Sequence, residues 1–256
     1  MKIHKLLISV IGILILVSFF IWRNIKKKDA KINRLTHVTI GTNAEYPPFS
    51  FIKNNSINGF DIDVIKEVFK RIRKTFELQD MSWNSLIPAI QLDKIQVIAA
   101  GITAKPERAN HVLFTKPYFK GDPLLIVSLS QQPPMKDIKE LSGKKVIVNE
   151  GYTADFYMSK LQGPILQRLP SPAQGFLALK SGRADAYVIA KSSAMKFFEK
   201  YGQKNFHFSE IPATEETYSI AVSKKQLQLF KEIEQALMEM KEDGTIQKLL
   251  IKWKLK

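Results

Sequence analysis

The chain contains no cysteine. That excludes a disulfide framework, a thiol nucleophile and a lipid-bearing cysteine, and it leaves the redox compartment unspecified. Histidine is scarce: His4, His37, His111 and His207 are scattered without ligand spacing, so no metal site is expected and each reads as an isolated surface or edge residue. A basic helix, an RNP-like aromatic motif and zinc spacing are also missing, which leaves nucleic-acid binding without support despite a net charge of +15. Much of that charge is local. The first 35 residues carry eight Lys/Arg and one acid and supply +7, leaving +8 for the rest. There is no internal repeat, and no low-complexity linker beyond a lysine-rich neck.

What is present begins with MKIHKLLISVIGILILVSFFIWRNIKKKD. The uncharged apolar run at residues 6–22 spans roughly 25 Å as a helix, long for a signal-peptide core and short for a membrane span. No small-x-small pair follows, and Phe19, Phe20, Ile21 and Trp22 occupy the place of a cleavage site, so an uncleaved signal anchor is expected over a removed peptide. Arg23, Lys26, Lys27, Lys28, Lys31 and Arg34 outnumber Lys2 and Lys5 across the run, a bias that taken alone keeps the body in the cytoplasm.

From Thr36 onward short β-rich runs alternate with helical ones. HVTIGT, IQVIAAG, PLLIVSL and KKVIVNEG read as strands bounded by turn residues. GFDIDVIKEVFKRIRK reads as a helix, with Asp61 and Asp63 in its first turn and Phe60, Val64, Ile65, Val68, Phe69 and Ile72 at helical spacing. AQGFLALKSG, KSSAMKFFEKYG and LQLFKEIEQALMEMKEDG read as further helices. The alternation predicts an α/β protein with parallel sheets and helices on both faces, divided into two lobes around GDPLLIVSL. Open α/β sheets bind ligands at the carboxyl ends of their strands, which singles out three loops.

In GTNAEYPPFSF, Asn43 and Tyr46 leave the first strand and Pro47-Pro48 hold an extended path; Tyr46 offers a flat apolar face with a polar tip, and a plain proline turn accounts for the stretch equally. In AGITAKPER, Gly101 lets the chain turn, Thr103 offers a hydroxyl and a backbone N–H, and Arg108 presents a planar fork for a carboxylate. Pro106-Glu107 marks a helix start whose free N–H groups face an anion there. A surface arginine paired with an acid has the same local sequence. NEGYTADF places Gly151 at a strand end before a helix.

Taken in order, GTNAEYPPFSF, GFDIDVIKEV, WNSLIPAIQ, AGITAKPER, FTKPYF, LSGKKVIV, the Gly151 turn, SGRADAYV and DGTIQKLLIKW resemble the extracellular solute-binding proteins of polar amino acid ABC transporters, over residues 36–253. The resemblance implies an α/β, two-lobed periplasmic-binding-protein type II fold joined by two crossover strands, preceded by an N-terminal apolar helix. Its expected parts are an anchor or signal peptide with neck at 1–35, a discontinuous first lobe at 36–122 plus 217–256, and a second lobe at 123–216. It implies an amino acid ligand, ABC permease subunits as membrane partners, a monomer, no cofactor and no catalytic residue. The body is then extracytoplasmic, tethered by the apolar helix or released after cleavage; long domains translocate despite nearby positive charge.

Carried over residue by residue, Asn43 and Tyr46 match positions after the first strand, and Trp83 matches the aromatic facing the ligand side chain. Gly101 and Thr103 match backbone and hydroxyl contacts, and Arg108 matches the arginine that pairs the α-carboxylate. Glu150, Gly151, Tyr152, Thr153 and Ala190 fall on the second-lobe wall, where two positions depart from the pattern. Tyr152 stands in place of a threonine, and Ala190, followed by Lys191, stands where an aspartate usually pairs the ligand's ammonium. A buried ammonium without an acid costs several kcal/mol. Either Glu45 or Glu150 replaces the aspartate, or the ligand lacks an ammonium, or tight binding has been lost. Two other functions share the fold: a cyclohexadienyl-dehydratase-like enzyme, with Glu150 as general acid, and a tethered sensor that presents ligand to a membrane partner.

Overall fold

The computed structural model describes residues 22–23 and 37–255. The chain divides into two units, Met1–Val38 and Thr39–Lys256. Of the first unit, the helical pair Trp22 and Arg23 and the start of the first strand are described. The expected apolar anchor and basic neck otherwise lie outside the described residues, among which no helix is long and apolar enough to cross a membrane.

Strand β1 (His37–Thr42) is followed by a small antiparallel sheet of β2 (Glu45–Tyr46), β3 (Ser50–Lys53) and β4 (Ser56–Asn58). Then come α1 (Phe60–Arg71), β5 (Thr75–Asp80), α2 (Leu86–Gln91), β6 (Val97–Ile102), α3 (Pro106–Ala109), β7 (Val112–Phe114) and β8 (Phe119–Asp122). The chain next crosses into a second sheet, through β9 (Leu124–Leu129), β10 (Lys145–Asn149), α4 (Thr153–Met158), β11 (Ile165–Leu169), α5 (Pro172–Lys180), β12 (Ala186–Ala190), α6 (Lys191–Tyr201) and β13 (Phe206–Glu210). It returns in β14 (Glu216–Ser223) and ends in α7 (Leu227–Glu242) and α8 (Thr245–Lys252).

The first sheet has the order β5-β1-β6-β14-β7, with β8 also paired to β14, and the second has β11-β10-β12-β9-β13. Parallel pairing holds for β1 with β6 and for β10 with β11 and β12. The expectation of parallel sheets throughout is corrected at β9 and β14, which run antiparallel to β12 and β6. Each is a strand that has just crossed from the other sheet. It therefore starts at the end where its neighbours finish, and antiparallel pairing needs no helical crossover.

Helix α1 forms where its residues predict: Asp61 and Asp63 sit in its first turn, Lys70 and Arg71 in its last, and Ile62, Ile65, Val68 and Phe69 are buried. Gly59 before it has φ 142°, and a Cβ there would overlap the Phe49 carbonyl. The core of the second lobe gathers on Phe176, whose ring stacks on Phe197 at 4.2 Å and meets Tyr187 at 5.2 Å. The first lobe packs Leu86, Ile90, Ile98 and Ile102 under its sheet. Each such side chain contributes about 1.5–3 kcal/mol by burial.

Phe176→Ala is expected to lower stability by about 3–5 kcal/mol, because it leaves a cavity at the centre of this ring cluster. The midpoint of urea unfolding reads this; a loss under about 1 kcal/mol would show that the cluster can collapse around the gap.

Candidate ligand-binding cleft

The Gly101 turn ends β6 with φ 58°, and a Cβ there would come within 2.9 Å of the Tyr46 ring. Glycine is required on both counts. The turn is pinned from behind by Asp61, a buried carboxylate that accepts the Gly101 N–H and the Tyr118 hydroxyl, the latter at 2.7 Å. Asp61 was legible as a helix-start acid but not as this anchor. Because Asp61 takes the Gly101 N–H, that donor faces the protein rather than the cleft.

Arg108 lies on α3, whose four residues start with Pro106 at the first position. One turn carries little dipole, so the guanidinium and not the helix start dominates this site. Its side chain is only 6% exposed. Nη1 donates to the Thr103 carbonyl at 2.9 Å and Nη2 to the Gly151 carbonyl at 2.7 Å, from the second lobe. The guanidinium carbon lies 4.9 Å from the centre of the Trp83 ring and 5.6 Å from that of Phe156, within cation–π reach. Burial pushes the guanidinium down to about 10, against the upward pull of Glu216. It stays charged at neutral pH. On the same loop the buried Thr103 hydroxyl has no hydrogen-bond partner.

The facing wall turns on Gly151, with φ 72°. Its N–H donates to Asp155 at 3.0 Å, and its carbonyl accepts both Arg108 and the Trp83 indole N–H, the second at 3.0 Å. Added carbon at 151 would meet Asn84 at 2.9 Å and Trp83 at 3.3 Å. Tyr152 follows. Its ring lies 5.6 Å from Tyr46, edge-on, and 4.8 Å from Trp83, while its hydroxyl donates to Asn43 at 3.1 Å. The ring that replaces a threonine thus fills the slot between the two first-lobe aromatics.

Tyr46, Trp83, Gly101, Arg108, Tyr152 and Thr153 come together around a cavity of about 10 Å³, space for roughly one water. Trp83 and Arg108 also border an adjoining apolar cavity of about 220 Å³ with Ile87, Ile102 and Phe156. Asn43 is buried beside the slot and donates to the Met81 carbonyl at 3.2 Å. Three expected positions fall elsewhere. Glu45 and Glu150 are exposed, and Ala190 is buried at the end of β12; none of the three borders either cavity.

One charged residue of the small cavity went unread in the sequence. Glu216, 5% exposed, opens β14 and borders the small cavity with Arg108. It accepts the Tyr218 hydroxyl at 2.8 Å, and Thr153 of the second lobe borders the same cavity. Across the strand pair it stands in register with Asp122, whose Oδ2 is 2.9 Å from the same Tyr218 hydroxyl. Tyr218 in turn meets the Tyr46 hydroxyl at 3.0 Å. Asp122 is otherwise engaged, accepting the Ser192 N–H at the start of α6 at 2.8 Å. The signal was alternation in ETYSIAVS, which puts Glu216, Tyr218 and Ile220 on one side once the segment is recognised as a strand.

Burial raises Glu216 from 4.5 to about 7, with Asp122 adding to the rise, and it raises Asp61 from 3.8 to about 6; Asp122 is raised too. The folded protein therefore holds protons that the unfolded chain has released. The stability these groups contribute is fully present below about pH 4 and is lost as pH climbs to about 7. The drop in Tm between pH 5 and pH 7.5 is expected to be smaller in Glu216→Gln than in the unsubstituted protein. An equal or larger drop in differential scanning fluorimetry would contradict the assignment.

The chain's relatives have the same architecture. Residues 38–256 match the family described as bacterial extracellular solute-binding proteins, family 3. The glutamine-binding protein GlnH of an ABC transporter in Bacillus subtilis is 32% identical over 237 residues, which cover 89% of this chain and 85% of that protein. An ancestral arginine-binding protein bound to arginine superposes with a TM-score of 0.80 at 34% identity, covering 85% of this chain and 98% of its own. ArtJ of Geobacillus stearothermophilus, which binds arginine, lysine and histidine, superposes with a TM-score of 0.80 at 25% identity, covering 86% and 96%. The chain belongs to the bacterial extracellular solute-binding proteins of family 3.

Proposed function

We propose that the body captures a polar amino acid between a first lobe at 36–122 plus 217–256 and a second lobe at 123–216, and presents it to ABC permease subunits. The observation that carries the ligand class is Arg108: a buried, permanently charged fork whose N–H groups rest on two carbonyls instead of a carboxylate. A carboxylate is the better acceptor, with charge-assisted hydrogen bonds about twice as strong as neutral ones. The unpartnered Thr103 hydroxyl supplies a further donor on the same loop.

With about 10 Å³ between them, the lobes must part before an amino acid enters. Rotation about the two crossings, at residues 122–124 and 210–216, releases the Gly151 carbonyl from Arg108 and Trp83 and withdraws Tyr152 from its slot. The ligand's carboxylate then takes the place of that carbonyl. Its side chain lies among Tyr46, Trp83 and Tyr152, surfaces that suit a guanidinium, an imidazole or an amide. Reclosure on the ligand is a population shift, driven by contacts made only in the closed form. The enzyme reading rested on Glu150, whose exposure gives it no support as a cleft acid. The relatives named above are binding proteins.

We further propose that the body stands outside the cytoplasm, tethered by the apolar run at residues 6–22. Protease added to spheroplasts should remove it; a protected body would overturn that placement.

A calorimetric panel of L-arginine, L-lysine, L-histidine and L-glutamine is expected to give at least one saturable ligand. Arg108→Ala should weaken that ligand by on the order of 100-fold or more, since two hydrogen bonds to a charged group are lost. Retained affinity would sink the carboxylate assignment.

A further inference from the structure

The cavity beside Arg108 holds a second group whose chemistry is unspent. Glu216 is a buried carboxylate that enters no ion pair among the described residues. Isolating a carboxylate from water without a cation costs several kcal/mol, so a fold that retains one gains something else by it. The Tyr218 hydroxyl lies within hydrogen-bond distance of both Glu216 and Asp122, yet it has one proton to give. Asp122 has the Ser192 N–H as well and serves the fold at the start of α6. Thr153 borders the same cavity as Glu216. The other charged and titratable groups around Glu216 are Arg108, Lys105 and Tyr46 from the first lobe and Tyr152 from the second. Arg108 directs two N–H donors at carbonyls and neither at Glu216. One small cavity therefore presents a fixed cation and an acceptor-rich carboxylate side by side, the complement of a zwitterion.

Resting on the amino acid reading above, the geometry points to Glu216 as the acceptor of the ligand's α-ammonium, with Tyr218 holding its carboxylate in place. This resolves the deficit at Ala190. The counter-charge comes from the crossover strand β14, not from the end of β12 and not from Glu45 or Glu150, both exposed. An acid on the crossing lies where the lobes meet, so an ammonium bonded to it is enclosed as the cleft shuts. Thr153 lines the same cavity from the second lobe, so closure completes the enclosure of an ammonium held there.

The test compares each amino acid with its des-amino counterpart: L-arginine with 5-guanidinopentanoate, and L-glutamine with 4-carbamoylbutanoate. By isothermal titration calorimetry the unsubstituted protein is expected to prefer the amino acid by roughly 10–100-fold, the worth of a hydrogen-bonded charge. Glu216→Gln should reduce that preference to a few-fold. A preference that survives in Glu216→Gln overturns the assignment, as does its loss in Glu45→Gln or Glu150→Gln instead. If Glu216→Gln does not fold, the unsubstituted protein still decides. A cation docking on a carboxylate half-protonated near pH 7 expels a proton, so titrations in buffers of different ionisation enthalpy should show proton release for L-arginine and none for 5-guanidinopentanoate. Equal proton release for both overturns it. Should the protein bind neither member of either pair and no amino acid of the panel above, the amino acid reading itself fails and takes this inference with it. Binding with an unchanged preference defeats the role of Glu216 alone.

Discussion

A guanidinium that cannot lose its proton is held in a cleft with little water, and it must be given acceptors. Arg108 has two, one from each side: the Thr103 carbonyl at 2.9 Å and the Gly151 carbonyl at 2.7 Å. The second of these ties the lobes together. The same atoms that suit a carboxylate ligand therefore also hold the cleft shut, and the Trp83 indole reinforces the tie on the same carbonyl. Gly151 is suited to it because its φ of 72° turns the carbonyl toward the first lobe, where a side chain would collide with Asn84 and Trp83. Much else follows from this contact. Asp61 braces the Gly101 turn that leads to Thr103, Asp155 holds the Gly151 N–H, and Trp83 and Phe156 cover the guanidinium faces.

The crossings between lobes are chemically loaded as well. Asp122 ends the outgoing strand and Glu216 begins the returning one, paired in register with Tyr218 between their carboxylates. Burial raises both carboxyls, and at Glu216 the charge of nearby Asp122 adds to the rise. Because Tyr218 also meets Tyr46, the cluster connects the crossing strands to the aromatic wall of the slot. Contacts a few ångströms long thus run from Glu216 through both crossing strands to the Tyr46 ring.

Much of the architecture was legible because it rests on period. The helices at Phe60–Arg71, Pro172–Lys180, Lys191–Tyr201 and Leu227–Glu242 follow apolar spacing, and the buried strands at Val97–Ile102 and Lys145–Asn149 read as short apolar runs. Half of the site was legible for a different reason: Gly101, Arg108 and Gly151 carry chemistry that few other residues supply. What escaped depends on tertiary contact. β14 opens with Glu216 and Thr217, polar residues that disguise a buried strand, so the alternation that aims Glu216 inward was not seen. Asp61 follows the rule for a helix start, and nothing local says that its carboxylate is buried against another strand's end. The antiparallel course of β9 and β14 is likewise a property of chain path, invisible to any local window.

Tyr152 shows how a departure from a family's pattern acquires a physical meaning. As sequence it is a bulky ring in place of a small hydroxyl; in the fold its ring sits between Tyr46 and Trp83 and its hydroxyl bonds Asn43. On the proposed binding mode, these contacts compete with the ligand side chain for the slot. Each 1.4 kcal/mol of such self-contact that a ligand must displace lowers its affinity by about tenfold. The ring is not only an obstacle, since once displaced it offers a third aromatic face at the cleft wall. A flat cationic or amide group that stacks on it recovers part of what its displacement costs, whereas a small aliphatic side chain recovers little. On the proposed binding mode, Tyr152 thereby favours long, planar, polar side chains.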